Sequence, residues 1–200
     1  GGETTAGGVL CTACQEHLRQ VPRRVERPQP LGFPAWALGP YSDTRRGVLI
    51  AMKERGHQAV RAHLGAVLAA GIEYLRARGD IPETALLVPA PTRASSARQR
   101  GGDPVAALCQ AASARLPGWD VVNALSAVEG RPGRSQPGAV ERADNMRRGG
   151  LLRPCARELV GRSVLLVDDV ITTGATLRAS AARVWAIGGD VAGAIVLADA

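Results

Sequence analysis

Two adjacent carboxylates and the hydroxyl-rich turn that follows them are the residues of this sequence with the clearest capacity for chemistry. Asp168 and Asp169 come directly after the apolar run 163–167, and the turn 172–174 reads Thr-Thr-Gly before a helical pattern begins at Ala175. The free N–H groups at the start of a helix, together with threonine hydroxyls, form a cradle for phosphate. Carboxylates beside such a cradle would repel the phosphate itself, so they suit sugar hydroxyls or a divalent cation. The expected ligand carries a phosphate about one ribose away from a diol.

The elements that must position these residues are predicted from the spacing of apolar side chains. Helical spacing predicts three long helices, and short apolar runs bounded by Gly, Pro or Asp predict buried strands. A shorter helix, capped by Asp43 or Thr44, runs toward Lys53. Strand, helix and strand in succession form a parallel crossover, so we expect a three-layer α/β/α domain with a mainly parallel sheet and its ligand beyond the carboxyl ends of the strands. The predicted helices cover 58–78, 105–116 and 175–187, and the predicted strands cover 85–88, 163–167 and 191–198.

The first forty residues lack such periodicity. Cys11 and Cys14 have the two-residue spacing with which two thiolates grip one zinc ion, and an Arg- and Pro-rich stretch over 22–34 follows them. Because proline cannot donate a backbone hydrogen bond, this stretch is expected to be a tether or small clip outside the core. The chain is therefore expected to divide into an irregular segment, 1–40, and an α/β domain, 41–200. One cysteine pair supplies half of a tetrahedral zinc site.

The net charge and the aromatic content indicate which kinds of molecule the protein could bind. The chain of 200 residues carries 24 Arg and one Lys against 18 acidic residues, a net charge of +7, which favours anionic partners such as nucleic acid, phosphorylated metabolites or a membrane surface. Aromatic residues make up only 3%, which disfavours a surface that stacks bases. Neither a bilayer-spanning apolar run nor a signal-peptide pattern is visible. We expect a soluble, cytoplasmic protein with no membrane span.

The segment Val164–Thr176, VLLVDDVITTGAT, resembles the 5-phosphoribosyl-1-pyrophosphate (PRPP) binding signature of type I phosphoribosyltransferases at every position. Further short motifs follow the order seen in the ComF family, phosphoribosyltransferase-like proteins linked to bacterial competence. The resemblance covers nearly the whole chain from Cys11 onward. The motifs that carry it, besides the signature, are Cys11 to Cys14, Tyr41, Lys53, 88–91, 98–101, Gln136, Glu141, Arg142 and Asn145.

The resemblance implies a role for each motif. Asp168 and Asp169 would be the catalytic pair that binds the ribose hydroxyls, directly or through Mg²⁺ and water. Residues 129–145 would form a hood that closes over the site and excludes water. The hood's positive charge would come from Arg131, Arg134 and Arg142. The 5′-phosphate would be held by Thr172, Thr173, Gly174, Ala175 and Thr176, and the leaving pyrophosphate would be met by Lys53, Arg93, Arg98 and Arg100.

The sequence departs from the family pattern in two places. Members usually hold zinc with two Cys pairs before the domain, whereas only Cys11 and Cys14 are present here. We expect the other pair to precede Gly1, so that Zn²⁺ would be bound only by a longer chain. Where many members carry Phe, Asn and Gln after the Arg-Gly motif, this chain has Gly-Asp-Pro at 102–104, which alters any acceptor contact made there.

The implied activity is phosphoribosyl transfer with Mg²⁺, in which an unidentified acceptor displaces pyrophosphate from PRPP. The alternative is a non-catalytic protein that binds PRPP or a nucleotide, or that assists uptake of single-stranded DNA alongside the competence machinery. Pyrophosphate release that Asp169→Asn abolishes would favour the enzyme. Salt-dependent binding to single strands would favour the DNA role. No Ser–His–Asp or Cys–His arrangement is legible, since His17, His57 and His63 are scattered.

Overall fold

The structure is a computed structural model that describes residues 10–54, 58–91, 102–126 and 151–200. These residues contain both helices and strands, with one 3₁₀ helix, Pro154–Leu159. The helices are α1 (Thr12–Leu18), α2 (Asp43–Lys53), α3 (Gln58–Ala77), α4 (Pro104–Ser113) and α5 (Ala175–Ala186). The strands are β1 (Arg23–Arg24), β2 (Ala35–Ala37), β3 (Leu86–Pro89), β4 (Leu125–Ser126), β5 (Leu151–Leu152), β6 (Ser163–Ile171) and β7 (Asp190–Asp199).

Five strands form the main sheet, in the order β1-β2-β7-β6-β3. β2, β7, β6 and β3 run parallel to one another, and β1 is an edge strand that pairs antiparallel with β2. β4 and β5 form a separate antiparallel pair. The predicted crossover is confirmed, because α5 connects the parallel strands β6 and β7. The chain is thus an α/β protein with a mostly parallel sheet.

Helices cover both faces of this sheet because alternate strand residues point to opposite sides. Leu165 and Val167 of β6 belong to the core cluster that α2, α3 and α4 complete. Val164 and Leu166 belong to a second cluster on the other face, which α5 and the 3₁₀ helix complete. The continuous apolar runs of β3, β6 and β7 are typical of parallel strands buried on both faces.

The starts of two helices show how local sequence sets their position. Ser42 caps α2, since its side chain accepts a hydrogen bond from the Arg45 amide at 3.2 Å, so the prediction of Asp43 or Thr44 as the cap is wrong by one or two residues. Asp103 caps α4 as its Asp-Pro sequence predicts, and its Oδ1 accepts from the amides of Val105 and Ala106 at 2.9 and 3.2 Å.

The expectation of an irregular segment outside the core is wrong for residues 12–38. α1, β1 and β2 are regular elements there, and β2 lies inside the main sheet between β1 and β7. Trp36 and Leu38 are buried. Prolines at both ends of this short apolar run hide it from a periodicity argument, yet β2 needs only three residues because β7 supplies its hydrogen bonds.

β6 also differs from its prediction. The strand continues to Ile171 instead of ending at the two acids, since β7 pairs with it as far as Ile171 and Asp199. The predicted hood, 129–145, falls outside the described residues. Among the described helices, none combines the length and the apolar character that crossing a bilayer requires.

Candidate functional site

The candidate site lies at the carboxyl edge of the sheet, where β6 extends beyond the end of its neighbour β3. β3 pairs with β6 only as far as Pro89 and Val167, and the Ala90 amide makes the last hydrogen bond, 2.7 Å to the Val167 carbonyl. Beyond Val167, within the described residues, β6 is paired only with β7. Asp168 and Asp169 therefore lie where one side of the strand is released, which is where open parallel sheets bind ligands.

Asp168 is the more enclosed of the two acids. Burial, and next the neighbouring charge of Asp169, raise the pKa of Asp168 to about 8. Its Oδ1 accepts the backbone N–H of Asp169 at 2.8 Å. At neutral pH this carboxyl therefore holds a proton in the unliganded protein, and a nearby cation would favour its ionised form.

Asp169 is paired with the chain's single lysine. The ammonium of Lys53 contacts Oδ2 of Asp169, whose side chain is 15% exposed. The other oxygen, Oδ1, accepts the Val170 amide at 2.7 Å. Lys53 is the last residue of α2, so a helix on one face of the sheet delivers the cation to this carboxylate.

A buried arginine fixes α2 against the sheet. Arg45, 1% exposed, donates to the carbonyls of Leu38 at 2.6 Å, Leu197 at 3.0 Å and His17 at 3.3 Å. The Leu38 carbonyl directly follows β2, the Leu197 carbonyl lies in β7 and the His17 carbonyl lies in α1. One guanidinium therefore joins α2 to three other parts of the fold. Burial lowers the pKa of Arg45. The start of α2 is thereby held in place, and with it the helix that ends at Lys53.

The turn between β6 and α5, residues 172–174, has the backbone that its glycine predicts. Gly174 is in the left-handed region with φ +73°, and a Cβ there would lie 2.5 Å from Cδ2 of Leu31. Oγ1 of Thr173 accepts the Ala175 amide at 3.3 Å. The first turn of α5, described in full, contains no acidic residue. The remaining N–H groups of this helix start face an edge suited to an anion.

A second segment, the β1–β2 loop (residues 25–34), packs on this turn, and the sequence argument missed it. Arg27 donates to the Ile171 carbonyl at 3.1 Å and also pairs with the Asp199 carboxylate. Gln29 accepts from Arg178 of α5 at 2.9 Å. The signal available in the sequence was Arg178 itself, a cation in the first turn of a helix, where the helix dipole disfavours positive charge.

The start of α4 approaches the same edge. Cys109 is fully buried, and its burial, followed by the charges of Asp103 and Asp168, raises the pKa of its thiol. The carboxylate that caps α4 and the first acid of the candidate site therefore lie near one thiol. Cys109 is an inert core residue in this setting, because a buried thiol in a negative field stays protonated.

The described residues fit the two expected metals to different degrees. Cys11 is the N-cap residue of α1 and Cys14 lies in its first turn, and the hydrogen bond that the Cys14 thiol donates to Cys11 raises the pKa of Cys14. In residues 10–54, 58–91, 102–126 and 151–200, no three His, Cys, Asp or Glu side chains are grouped for a metal ion, so the pair remains half of a zinc site. Mg²⁺ usually takes one or two carboxylates and completes its shell with water and phosphate. Asp168 and Asp169 fit that requirement.

The structure thus brings together part of the predicted set. One edge of the sheet holds Asp168, Asp169 and Lys53, with the turn and helix start 172–176 following directly. Cys11 and Cys14 lie at the start of α1, which packs against α2 rather than at that edge. Outside the described residues lie Arg93, Arg98, Arg100, Arg131, Arg134 and Arg142.

The chain matches no protein-family model, and no curated protein matches it.

Proposed function

We propose that this protein is a Mg²⁺-dependent phosphoribosyltransferase of the type I fold, related to the ComF family, that transfers the phosphoribosyl group of PRPP to an unidentified acceptor. One observation carries the proposal: two adjacent, partly buried carboxylates near the end of a central parallel strand are followed by a left-handed glycine turn and a helix start without acidic residues. The signature 164–176 occupies that strand, turn and helix.

The turn and helix start suit the 5′-phosphate of PRPP. Backbone N–H groups at the start of α5 and the hydroxyls of Thr172, Thr173 and Thr176 are donors for phosphate oxygens. Thr172 and Thr173 are exposed, whereas Gly174 is buried, so the hydroxyls are accessible while the backbone turns tightly beneath them. Since Gly174 has no Cβ, an anion can approach its amide closely.

The acid pair suits the ribose diol. Asp169 accepts hydrogen bonds from a hydroxyl group, and Asp168, protonated at neutral pH in the free protein, can donate one as well. Asp168 and Asp169 would hold Mg²⁺, directly or through water, and the ion would neutralise the charge of the pyrophosphate. Lys53 already lies against Asp169, so its ammonium is close enough to the diol site to meet the leaving group.

The proposed reaction breaks one bond and forms another at ribose C1. The C1–O bond to pyrophosphate breaks, pyrophosphate leaves with the electron pair, and the acceptor's lone pair forms the new bond to C1. The proton that the acceptor loses passes to solvent. Positive charge develops on the ring in the transition state, where the carboxylates stabilise it while the turn fixes the sugar in line.

Calorimetry with a ligand series tests the binding part of this proposal. In the presence of Mg²⁺, PRPP and ribose 5-phosphate are expected to bind, and ribose without its phosphate is expected to bind at least 100-fold more weakly, because the charge-assisted hydrogen bonds to phosphate are lost. Equal binding of ribose and ribose 5-phosphate, or no heat from PRPP, would contradict the proposal.

Pyrophosphate release tests the catalytic part. The protein is incubated with PRPP and Mg²⁺ across a panel of bases and amines, and turnover with at least one acceptor is expected. Tight PRPP binding without turnover on the whole panel would instead indicate a sensor. Salt-dependent binding of single-stranded DNA that PRPP does not alter would indicate the role in DNA uptake.

A further inference from the structure

The β1–β2 loop contacts the β6–α5 turn at its beginning, middle and end. At the beginning, Arg27 donates to the Ile171 carbonyl at 3.1 Å, and its side chain is only 13% exposed. In the middle, Leu31 packs on Gly174, and a Cβ there would lie 2.5 Å from Cδ2 of Leu31. At the end, Gln29 holds Arg178. A loop more than 140 residues earlier in the sequence thus packs along the whole turn.

Arg178 connects this loop to one carbonyl of the turn. Its Nη1 donates to the Thr173 carbonyl at 3.0 Å and to the Gln29 carbonyl at 3.4 Å, while Nη2 donates to Oε1 of Gln29 at 2.9 Å. The side-chain amide and the backbone of Gln29 therefore hold both terminal nitrogens of the guanidinium. Held in this way, the fork of Arg178 has a fixed orientation toward Thr173.

The Thr173 carbonyl matters because of the peptide bond that contains it. That carbonyl and the Gly174 N–H belong to one planar, trans peptide unit, so they point in opposite directions. When Arg178 fixes the carbonyl on the side of the β1–β2 loop, the Gly174 N–H is fixed on the other side. Glycine at φ +73° has the conformational freedom to lose this orientation if the carbonyl is released.

We propose that Gln29 and Arg178 are positioning residues that aim the Gly174 N–H at the 5′-phosphate of the phosphoribosyl ligand. This inference rests on the proposed function, and it assigns that orientation to residues outside the signature's acid pair and turn. Arg27 anchors the loop that carries Gln29. Neither Gln29 nor Arg178 needs to touch the ligand for this role.

The test is a double-mutant cycle read by calorimetry with ribose 5-phosphate and Mg²⁺. Gln29→Ala and Arg178→Ala are each expected to weaken binding about 3-fold to 10-fold, the ratio that one net hydrogen bond supplies. The double variant is expected to bind no worse than Arg178→Ala, because both residues act through the same carbonyl. Additive losses of affinity in the double variant would overturn the proposal that both residues act through the Thr173 carbonyl.

Two further variants separate positioning from charge and from folding. Arg178→Lys keeps the charge but loses the fork, so it is expected to bind as weakly as Arg178→Ala, and full binding by Arg178→Lys would overturn the proposal. Gln110→Ala makes the matched change at an exposed position of α4 and is expected to bind like the wild type. The Tm of Gln29→Ala is expected to stay within about 2 °C of the wild type, since its side chain is exposed.

An NMR readout follows the amide itself. In the wild type the Gly174 amide resonance is expected to move when ribose 5-phosphate is added, and in Gln29→Ala the free protein's Gly174 resonance is expected to shift already. If wild-type protein binds no ribose 5-phosphate, the proposed function fails. If the wild type binds and both alanine variants bind equally well with an unshifted Gly174 resonance, only the positioning role fails.

Discussion

The two edges of the central sheet use the same residue types in opposite ways. At the amino edge Gly161 and Gly188 have φ of +67° and +82°, and Asp190 begins β7. At the carboxyl edge Gly174 has φ +73° and two aspartates lie near the end of β6. A sequence pattern of glycine turns and acids therefore occurs at both edges, and only their surroundings distinguish them.

The amino edge satisfies its own polar groups. The Gly161 amide donates to the Gly188 carbonyl at 2.8 Å, the Asp190 amide donates to the Arg162 carbonyl at 3.0 Å, and the exposed Asp190 carboxylate accepts the Ser163 hydroxyl at 3.4 Å. At the carboxyl edge, burial raises the pKa of Asp168 and a lysine pairs with Asp169. Under the proposed function, the acids with shifted or paired charge at the carboxyl edge belong to a binding edge, and the groups paired within the turn at the amino edge belong to a structural one.

The largest effect is expected from a matched pair of aspartate changes. Under the proposed function, Asp169→Asn removes the charge that would face the ribose, and it is expected to lower the rate of pyrophosphate release about 100-fold. Asp190→Asn makes the same change at the amino edge and is expected to leave the rate within about 2-fold. Steady-state pyrophosphate release measures both. Equal losses in the two variants would end the distinction between the edges.

A matched pair of glycine changes comes next. Gly174→Ala adds left-handed strain and a clash with Leu31, whereas Gly161→Ala adds strain where no atom lies within 4 Å of the new Cβ. Strain of about 1–2 kcal/mol is expected in both, which lowers each Tm. Only Gly174→Ala is expected to weaken ribose 5-phosphate binding, by about 10-fold or more, because its Cβ and Leu31 cannot both keep their positions beside the turn. Calorimetry beside thermal unfolding separates these outcomes, and unchanged binding by Gly174→Ala would contradict the site.

Removal of the lysine is expected to have a smaller effect on turnover. Lys53→Ala leaves Asp169 without its cation and is expected to lower kcat/KM about 5-fold to 10-fold, through lost contact with pyrophosphate. Because the charge of Lys53 lowers the pKa of Asp168, the variant's activity is also expected to rise at a higher pH than that of the wild type. Lys53→Arg, which keeps the charge, is expected to retain most activity. A pH profile of pyrophosphate release distinguishes the variants.

The smallest effect concerns stability. The pKa of Asp168 rises from its ordinary value of 3.8 to about 8 on folding, so the folded state holds a proton that the unfolded chain has released. Stability is therefore lost as pH rises from about 4 to about 8 and is level above that range. Asp168→Asn removes this dependence and is expected to raise the Tm at pH 8 by roughly 4 °C, with a smaller gain at pH 5. A gain that does not grow with pH would contradict the buried, protonated carboxyl.

Much of the fold was predictable because its strands are strongly apolar. The runs 163–167 and 191–198 needed no context to be read as buried parallel strands, and the helical spacing between them predicted α5. β2 was not predictable, since Trp36 and Leu38 become core residues only when β7 lies beside them. The extension of β6 beyond its two acids likewise depends on pairing with β7. Polar residues give no local sequence signal for such pairing.

The candidate site was predictable where one segment contains it. The segment from Asp168 to Thr176 forms a strand end, a turn and a helix start that local sequence specifies. Lys53 was identified as a cation for the site, but its pairing with Asp169 depends on how α2 crosses the sheet. Arg27 and Gln29 were not found, because their importance arises from contacts with residues about 145 positions away.

Because α2 is attached to the sheet near its start, its length determines where Lys53 lies relative to the acid pair. Arg45 holds the first turn to carbonyls of three elements, and Lys53 is the last residue. Lys53 follows Arg45 by eight positions along the helix, a rise of about 12 Å. Deleting any one of the residues between them would rotate the ammonium by about 100° around the helix axis and carry it off Asp169. The spacing between an arginine and a lysine on one short helix thus sets whether the acid pair has its counter-charge.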